Sequence, residues 1–160
     1  MADDASYRRK FLVVIDDSPE AGRAVTFAAH RVKRTGGTVV LLSVLETQDF
    51  SQYLGVEQVM RAEAREAAER ALDAQRARIA ELGDIRTETV IREGELVPEI
   101  EGLIADDPAI AILVLAAADS PQGPGPLVST FTTRAAQTRL RVIVTIVPGG
   151  MTEDEIIAVT

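Results

Sequence analysis

Short, continuous apolar runs alternate along this chain with longer stretches in which apolar residues recur at helical spacing. A continuous apolar run is typical of a strand buried on both faces, and helical spacing is typical of a helix with one buried side. The pattern predicts strands at residues 11–15, 38–45, 86–91, 110–116 and 142–147.

Helices are predicted between these strands. The first follows Ser18 and Pro19, which suit the N-cap and the first position of a helix, and it ends before Gly36. The others are predicted at 56–82, 97–105 and 127–138. The long second helix has a charged side that we expect to face solvent and an apolar side made of Met60, Ala64, Ala67, Ala71, Ile79 and Leu82.

The alternation of strands and helices predicts an α/β fold, a three-layer, doubly wound, five-stranded parallel sheet. Each parallel crossover places a helix on one face of the sheet, so both faces are covered. The length suits one domain, which we place at residues 11–148. Residues 1–10 and 149–160 are expected to be extensions, and within the second Glu155 to Val159 has the composition of a short strand or a helical turn.

The charge and composition narrow the range of partners. The net charge is -8, and the 17 lysines and arginines are dispersed, so we expect neither nucleic acid nor a membrane as partner. Cysteine is absent, which excludes thiolate chemistry and disulfides. The longest apolar run, residues 109–118, is too short to cross a bilayer, and we expect a cytoplasmic protein.

Ligands of doubly wound sheets bind outside the carboxyl ends of the strands, where the strand order reverses. The first strand runs into Asp16 and Asp17, and the fourth runs into a glycine-containing loop before a helix N-terminus, which can hold an anion. A structural role as helix caps is an alternative for the two aspartates. His30 has no candidate partner in the sequence, so we expect it on the surface and in no metal or catalytic site.

Several segments together resemble the universal stress protein family. They are Val-Val-Ile-Asp-Asp-Ser-Pro-Glu at 13–20, Val-Val-Leu-Leu-Ser-Val at 39–44, Arg-Glu-Gly at 92–94 and the apolar strand before the loop. The likeness extends over residues 11–147 and implies a Rossmann-like fold that dimerises through its last strand, Val142 to Val147. It assigns Asp16 and Val44 to the adenosine end of a nucleotide pocket.

Nucleotide-binding members of that family carry a phosphate loop that reads Gly, two residues, Gly, nine residues, Gly, then Ser or Thr. In this chain the register falls on Ala116, Asp119, Ser129 and Thr130, while Gly123 and Gly125 lie elsewhere in the loop. The resemblance assigns Ser129 and Thr130 to phosphate contact, and ordinary capping or helix positions are the alternative. Replacement of the glycines adds a Cβ at Ala116 and a carboxylate at Asp119, which would repel phosphate by about 1 to 4 kcal/mol. A divalent cation beside Asp119 would reverse that effect.

These observations favour a non-catalytic stress-response protein that acts as a homodimer with an unidentified protein partner. We expect ATP binding to be weakened or lost, with no resident cofactor. One alternative is an ATP- or AMP-binding switch. Another is a degenerate response-regulator receiver, because Asp16 and Asp17 resemble the acidic pair that receivers carry after their first strand. A receiver also needs an aspartate after its third strand and a lysine after its fifth, and this chain has Arg92 and Pro148 there. An enzyme is disfavoured because His30 is the sole histidine and cysteine is absent.

Overall fold

The computed structural model describes residues 9–47, 55–137 and 140–160. The strands are β1 (Lys10–Val14), β2 (Thr38–Glu46), β3 (Arg86–Gly94), β4 (Ile110–Ala116) and β5 (Ile143–Val147). The helices are α1 (Ala21–Thr35), α2 (Glu57–Ala80), α3 (Leu96–Asp106), α4 (Pro126–Gln137) and α5 (Glu153–Val159). The predicted end of the fourth helix, residue 138, lies outside the described residues.

The strands form one parallel sheet in the order β3-β2-β1-β4-β5. From β1 the chain adds β2 and β3 on one side of the sheet and then β4 and β5 on the other. The strand order therefore reverses between β1 and β4, the two strands whose ends were singled out from the sequence. The central strands β1, β2 and β4 are the most continuously apolar, since both of their faces are covered. The predicted α/β fold is confirmed.

Alternate residues of β1 enter two large core clusters on opposite faces of the sheet. Phe11 and Val13 pack on one face with residues of α1 and α2. Leu12 and Val14 pack on the other with residues of α3 and α4. This alternation produces the predicted three layers, because successive side chains of a strand point to opposite faces.

The start of α1 differs from the prediction. The helix begins at Ala21 with Glu20 at the N-cap, and no side chain accepts a hydrogen bond from its first turn. Ser18 instead donates its backbone N–H to the Asp16 carboxylate, 2.9 Å away. Ser18 and Pro19 therefore belong to a turn before the helix, and the prediction of Ser18 as helix cap was wrong.

Residues 149–160 fold back onto the domain. They form α5, whose first turn is capped by the Thr152 hydroxyl accepting the Glu155 N–H at 3.2 Å. Ile156 is fully buried in the core cluster that contains α1. Of the two forms expected for this segment, the helical one is correct, so the segment adds no strand to the sheet beside β5.

Candidate functional site

A cleft with two compartments runs along the carboxyl ends of β1, β2 and β4. The compartments share Val14, Asp16 and Leu96. The larger, about 540 Å³, lies between the ends of β1 and β2 and the side of α2. The smaller, about 190 Å³, lies between the ends of β1 and β4 and the N-termini of α1 and α4. The cleft is at the predicted point of strand reversal.

The wall of the larger compartment is a face of α2 with small side chains. Met60, Ala64, Ala67 and Ala71 of α2 line it opposite Val44 of β2. Ala67 and Ala71, which were predicted on the apolar side of this helix, are exposed. Their methyl groups are too short to fill the gap between α2 and the sheet, and that gap is the compartment.

Asp16 lies where the two compartments meet. Its Oδ1 accepts hydrogen bonds from the backbone N–H of Ser18 at 2.9 Å and from the Ser18 hydroxyl. This is an Asx-turn, in which a side chain stands in for a backbone acceptor. Asp16 therefore caps the turn before α1 and does not cap the helix, whose N-cap is Glu20.

The loop of residues 117–125, called here the β4–α4 loop, is held by backbone hydrogen bonds both to β5 and within the loop. The Ala117 N–H donates to the Val147 carbonyl at 2.8 Å, and the Ala118 N–H donates to the Pro124 carbonyl at 2.9 Å. Gly123 and Gly125 have φ of 115° and 99°, which a residue with a Cβ adopts only under strain. Ala116 and Gly125 line the smaller compartment.

The remaining loop residues predicted for the site do not line the cleft. Asp119 is exposed on the loop, Gly123 also lies in the loop, and Ser129 and Thr130 are the fourth and fifth residues of α4. The Ser129 N–H already donates to the Gly125 carbonyl at 3.1 Å, because α4 begins at Pro126. Pro126 itself has no N–H to offer.

The charged side chains that line the cleft are acidic. Asp16 and Glu20 border the smaller compartment, and Asp16, Asp17, Glu46 and Glu63 border the larger. Among the described lining residues there is no lysine, arginine or histidine. A unit negative charge about 4 Å from one carboxylate is repelled by about 1 to 4 kcal/mol at effective dielectrics of about 80 to 20.

Comparison with known proteins identifies the family. The model of the universal stress protein family matches residues 8–148. The chain belongs to this family. No curated protein matches the chain.

Solved structures of universal stress proteins share the fold. UspA from Lactobacillus plantarum is 25% identical, covers 88% of this chain and 98% of its own, and superposes with a TM-score of 0.67. A family protein from Arabidopsis thaliana with AMP bound is 17% identical, with coverage of 88% and 91% and a TM-score of 0.60. A universal stress protein in complex with cAMP is 17% identical, with coverage of 89% and 98% and a TM-score of 0.61.

The strand order excludes the receiver alternative. Receivers of the CheY type have the order 2-1-3-4-5, whereas this universal stress protein has β3-β2-β1-β4-β5. The resemblance of Asp16 and Asp17 to the acidic pair of receivers is therefore limited to the local sequence.

His30 lies in a second pocket, between α1, α2 and α5, which shares no residue with the cleft. The expectation that His30 lies on the surface is met in part, since its side chain is half-buried and Arg78 and Glu153 line the same pocket. Burial, followed by the charges of Lys33 and Arg78, lowers the pKa of His30, and Glu153 opposes the shift. Residues distant in sequence create this environment, so the sequence pattern did not reveal it.

Two further findings concern the described residues alone. They contain no group of three or more histidine, aspartate or glutamate side chains placed to hold a metal ion. None of their helices is both long enough and apolar enough to cross a membrane.

Sequence reasoning missed Glu20 and Leu96 as lining residues of the cleft. Glu20 is at the N-cap of α1, and Leu96 is the first residue of α3. Both residues lie at the start of a helix that follows a strand, and such a position places a side chain at the carboxyl edge of the sheet. This position in the predicted elements could have indicated that they line the cleft.

Proposed function

We propose that this universal stress protein is a non-catalytic cytoplasmic regulator that acts as a homodimer through protein contacts, and that its cleft binds ATP weakly or not at all. The observation that carries the proposal is the acidic lining of the cleft, which has no compensating cation among the described lining residues. A ligand with several phosphate charges meets repulsion from more than one carboxylate.

The backbone around the smaller compartment also offers few donors to a phosphate. The N–H groups of Ala117, Ala118 and Ser129 donate within the protein. Pro124 and Pro126 line the compartment without an N–H. The first turn of α4 lies at this compartment, and the free N–H groups that helix N-termini carry favour an anion there, against the repulsion of the carboxylates.

The composition of the cleft supports a non-catalytic role. Its hydroxyl groups, Ser18 and Ser43, have no histidine or lysine beside them among the described lining residues. The Ser18 hydroxyl is already bonded to Asp16. A serine nucleophile needs an adjacent general base that is free to take its proton. The Asp16 carboxylate is not free in this way, because it accepts the Ser18 backbone N–H in the Asx-turn.

The edge of the sheet supports the homodimer. β5 is the outer strand beside β4, and its Ile143 and Ile146 are 69% and 37% exposed. The tail packs its helix on α1 instead of pairing with this strand. An apolar edge strand is an aggregation hazard unless it is covered, and a second copy of the chain supplies that cover.

A nucleotide-binding switch is the second candidate. The larger compartment is of a size typical for small ligands, and it holds Asp16 and Val44 together. Relatives of the same fold have AMP or cAMP bound. AMP and cAMP carry fewer charges than ATP, so an acidic cleft discriminates against them less strongly.

Calorimetric titration with ATP and Mg²⁺ tests the proposal. The wild-type chain should give no measurable heat, and a Glu20→Gln variant, which removes a carboxylate from the lining of the smaller compartment, should gain binding. Wild-type binding at micromolar Kd would overturn the charge argument and leave the switch. Sustained phosphate release from ATP by the wild-type chain would overturn the non-catalytic role.

A further inference from the structure

The segment after β5 presses against the β4–α4 loop. A Cβ placed on Gly149 would lie 2.9 Å from the Ala117 carbonyl oxygen and 2.9 Å from the Ala118 carbonyl carbon. These are backbone atoms, which cannot swing aside as a long side chain does. Gly149 is therefore required by this close approach, whereas a Cβ on the adjacent Gly150 would meet no atom within 4 Å.

The rest of the tail is anchored on α1 and α2. Ile156 is 0% exposed in the core cluster. The Glu153 carboxylate pairs with Arg78 of α2 and accepts the Thr26 hydroxyl of α1 at 2.9 Å. Arg31 of α1 donates to the Thr160 carbonyl at 3.1 Å. The tail is thus fixed at both ends, by the close contact at Gly149 and by α5.

The loop residues under Gly149 are also held from other directions. The Ala117 N–H donates to the last residue of β5, Val147, at 2.8 Å. The Ala117 carbonyl accepts from Arg23 of α1 at 3.2 Å. Ala117 directly follows Ala116, which lines the smaller compartment. A shift of the tail at Gly149 therefore changes the packing of the loop at the mouth of the cleft.

We propose that residues 148–160 form a strap that sets the position of the β4–α4 loop, so that docking of α5 and closure of the loop are coupled. Docking of α5 holds Gly149 against Ala117 and Ala118, and release of α5 lets the loop open. The proposal is independent of whether the cleft binds a nucleotide, because its test uses the protein without ligand.

Amide hydrogen exchange of Ala117 and Ala118, measured by NMR, tests the contact with a matched pair of variants. Gly149→Ala should speed exchange of both amides by about tenfold or more, because the added Cβ forces the loop away from the strap. Gly150→Ala makes the same chemical change in the same turn and should leave both rates within about twofold of wild type. Equal rates in the two variants would overturn the proposal.

Ile156→Ala tests the coupling from the other end of the strap. The cavity left by the isoleucine should loosen α5 and speed exchange of Ala117 and Ala118 more than exchange of the Val13 amide. Val13 is 0% exposed in β1, which lies between β2 and β4, so its amide exchanges through global unfolding. If Ala117 and Ala118 keep their wild-type rates, or accelerate only as much as Val13, the loop and the tail are independent and the proposal fails.

Discussion

The Asp16 carboxylate accepts the backbone N–H of Ser18 at 2.9 Å and also accepts the Ser18 hydroxyl. Asp16 thus closes the turn that leads into α1, and it also lines both compartments of the cleft. Asp16→Ala should lower the free energy of unfolding by about 1 kcal/mol, because the Ser18 N–H loses its acceptor. Urea denaturation followed by circular dichroism measures the change.

Asp16→Asn is the matched control, since its side-chain carbonyl still accepts the Ser18 N–H while the charge is removed. We expect it to retain most of the stability that the alanine variant loses. Equal stability of the two variants would show that the hydrogen bond does not hold the turn.

Glu20→Gln should raise the affinity for ATP by about tenfold, because Glu20 lines the smaller compartment and its charge acts on the phosphate end. Calorimetry at high ATP concentration measures the change. Glu63→Gln removes the same charge from the larger compartment and should have a smaller effect. An equal gain in both variants would mean that net charge, and not its location, controls binding.

Ile143→Lys should convert the dimer to a monomer, because a lysine on an edge strand opposes pairing with a second chain. Sedimentation velocity measures the mass. Val159→Lys is the control, as Val159 is comparably exposed, at 63%, but lies on α5. A dimer that persists in Ile143→Lys, or that is lost equally in Val159→Lys, would place the interface elsewhere.

The pocket between α1, α2 and α5 should make stability depend on pH. The pKa of His30 is lowered from 6.5, so the unfolded chain binds the proton more readily and stability falls as pH drops through about 6.5. The groups facing His30 are Lys33, Arg78, Glu81 and Glu153. Thermal unfolding between pH 7.5 and 5.5, values chosen about one unit either side of the ordinary histidine pKa, should show this loss, and His30→Gln should remove it.

Glu153 acts in a separate pH window. The Thr26 hydrogen bond and the Arg78 charge lower the pKa of Glu153 below 4.5. The contribution of Glu153 to the free energy of unfolding is therefore complete above pH 4.5 and is lost only as pH falls below that value. A pH dependence above 5.5 that survives in His30→Gln would contradict the assignment to His30.

The sheet was predictable because its signal is local. β1, β2 and β4 are continuous apolar runs, and the position of Asp16 and the loop at the carboxyl edge follows from strand order. The start of α1 was missed because Ser18 has two possible partners. As a helix cap, Ser18 would accept a backbone N–H through its hydroxyl oxygen, whereas in the structure it donates its own N–H and hydroxyl to Asp16, and only the folded turn decides between these roles.

The cleft walls were less predictable because they depend on contacts between distant segments. Ala67 and Ala71 have the spacing of a buried helix face, yet the gap that they leave is open. Ser129 fits the register of the phosphate loop, but Pro126 begins α4 early enough to engage the Ser129 N–H within the helix. The contact of Gly149 with Ala117 and Ala118 joins two segments that are distant in the sequence, and no local sequence pattern predicts it.

The most direct test of the central claim, that the acidic cleft discriminates against phosphate, is the order of affinities of adenosine, cAMP, AMP and ATP for the wild-type protein. Calorimetry should show that affinity falls as the phosphate charge rises, with ATP at least about tenfold weaker than adenosine, and that the difference narrows as salt screens the carboxylates. ATP that binds more tightly than adenosine would contradict the account.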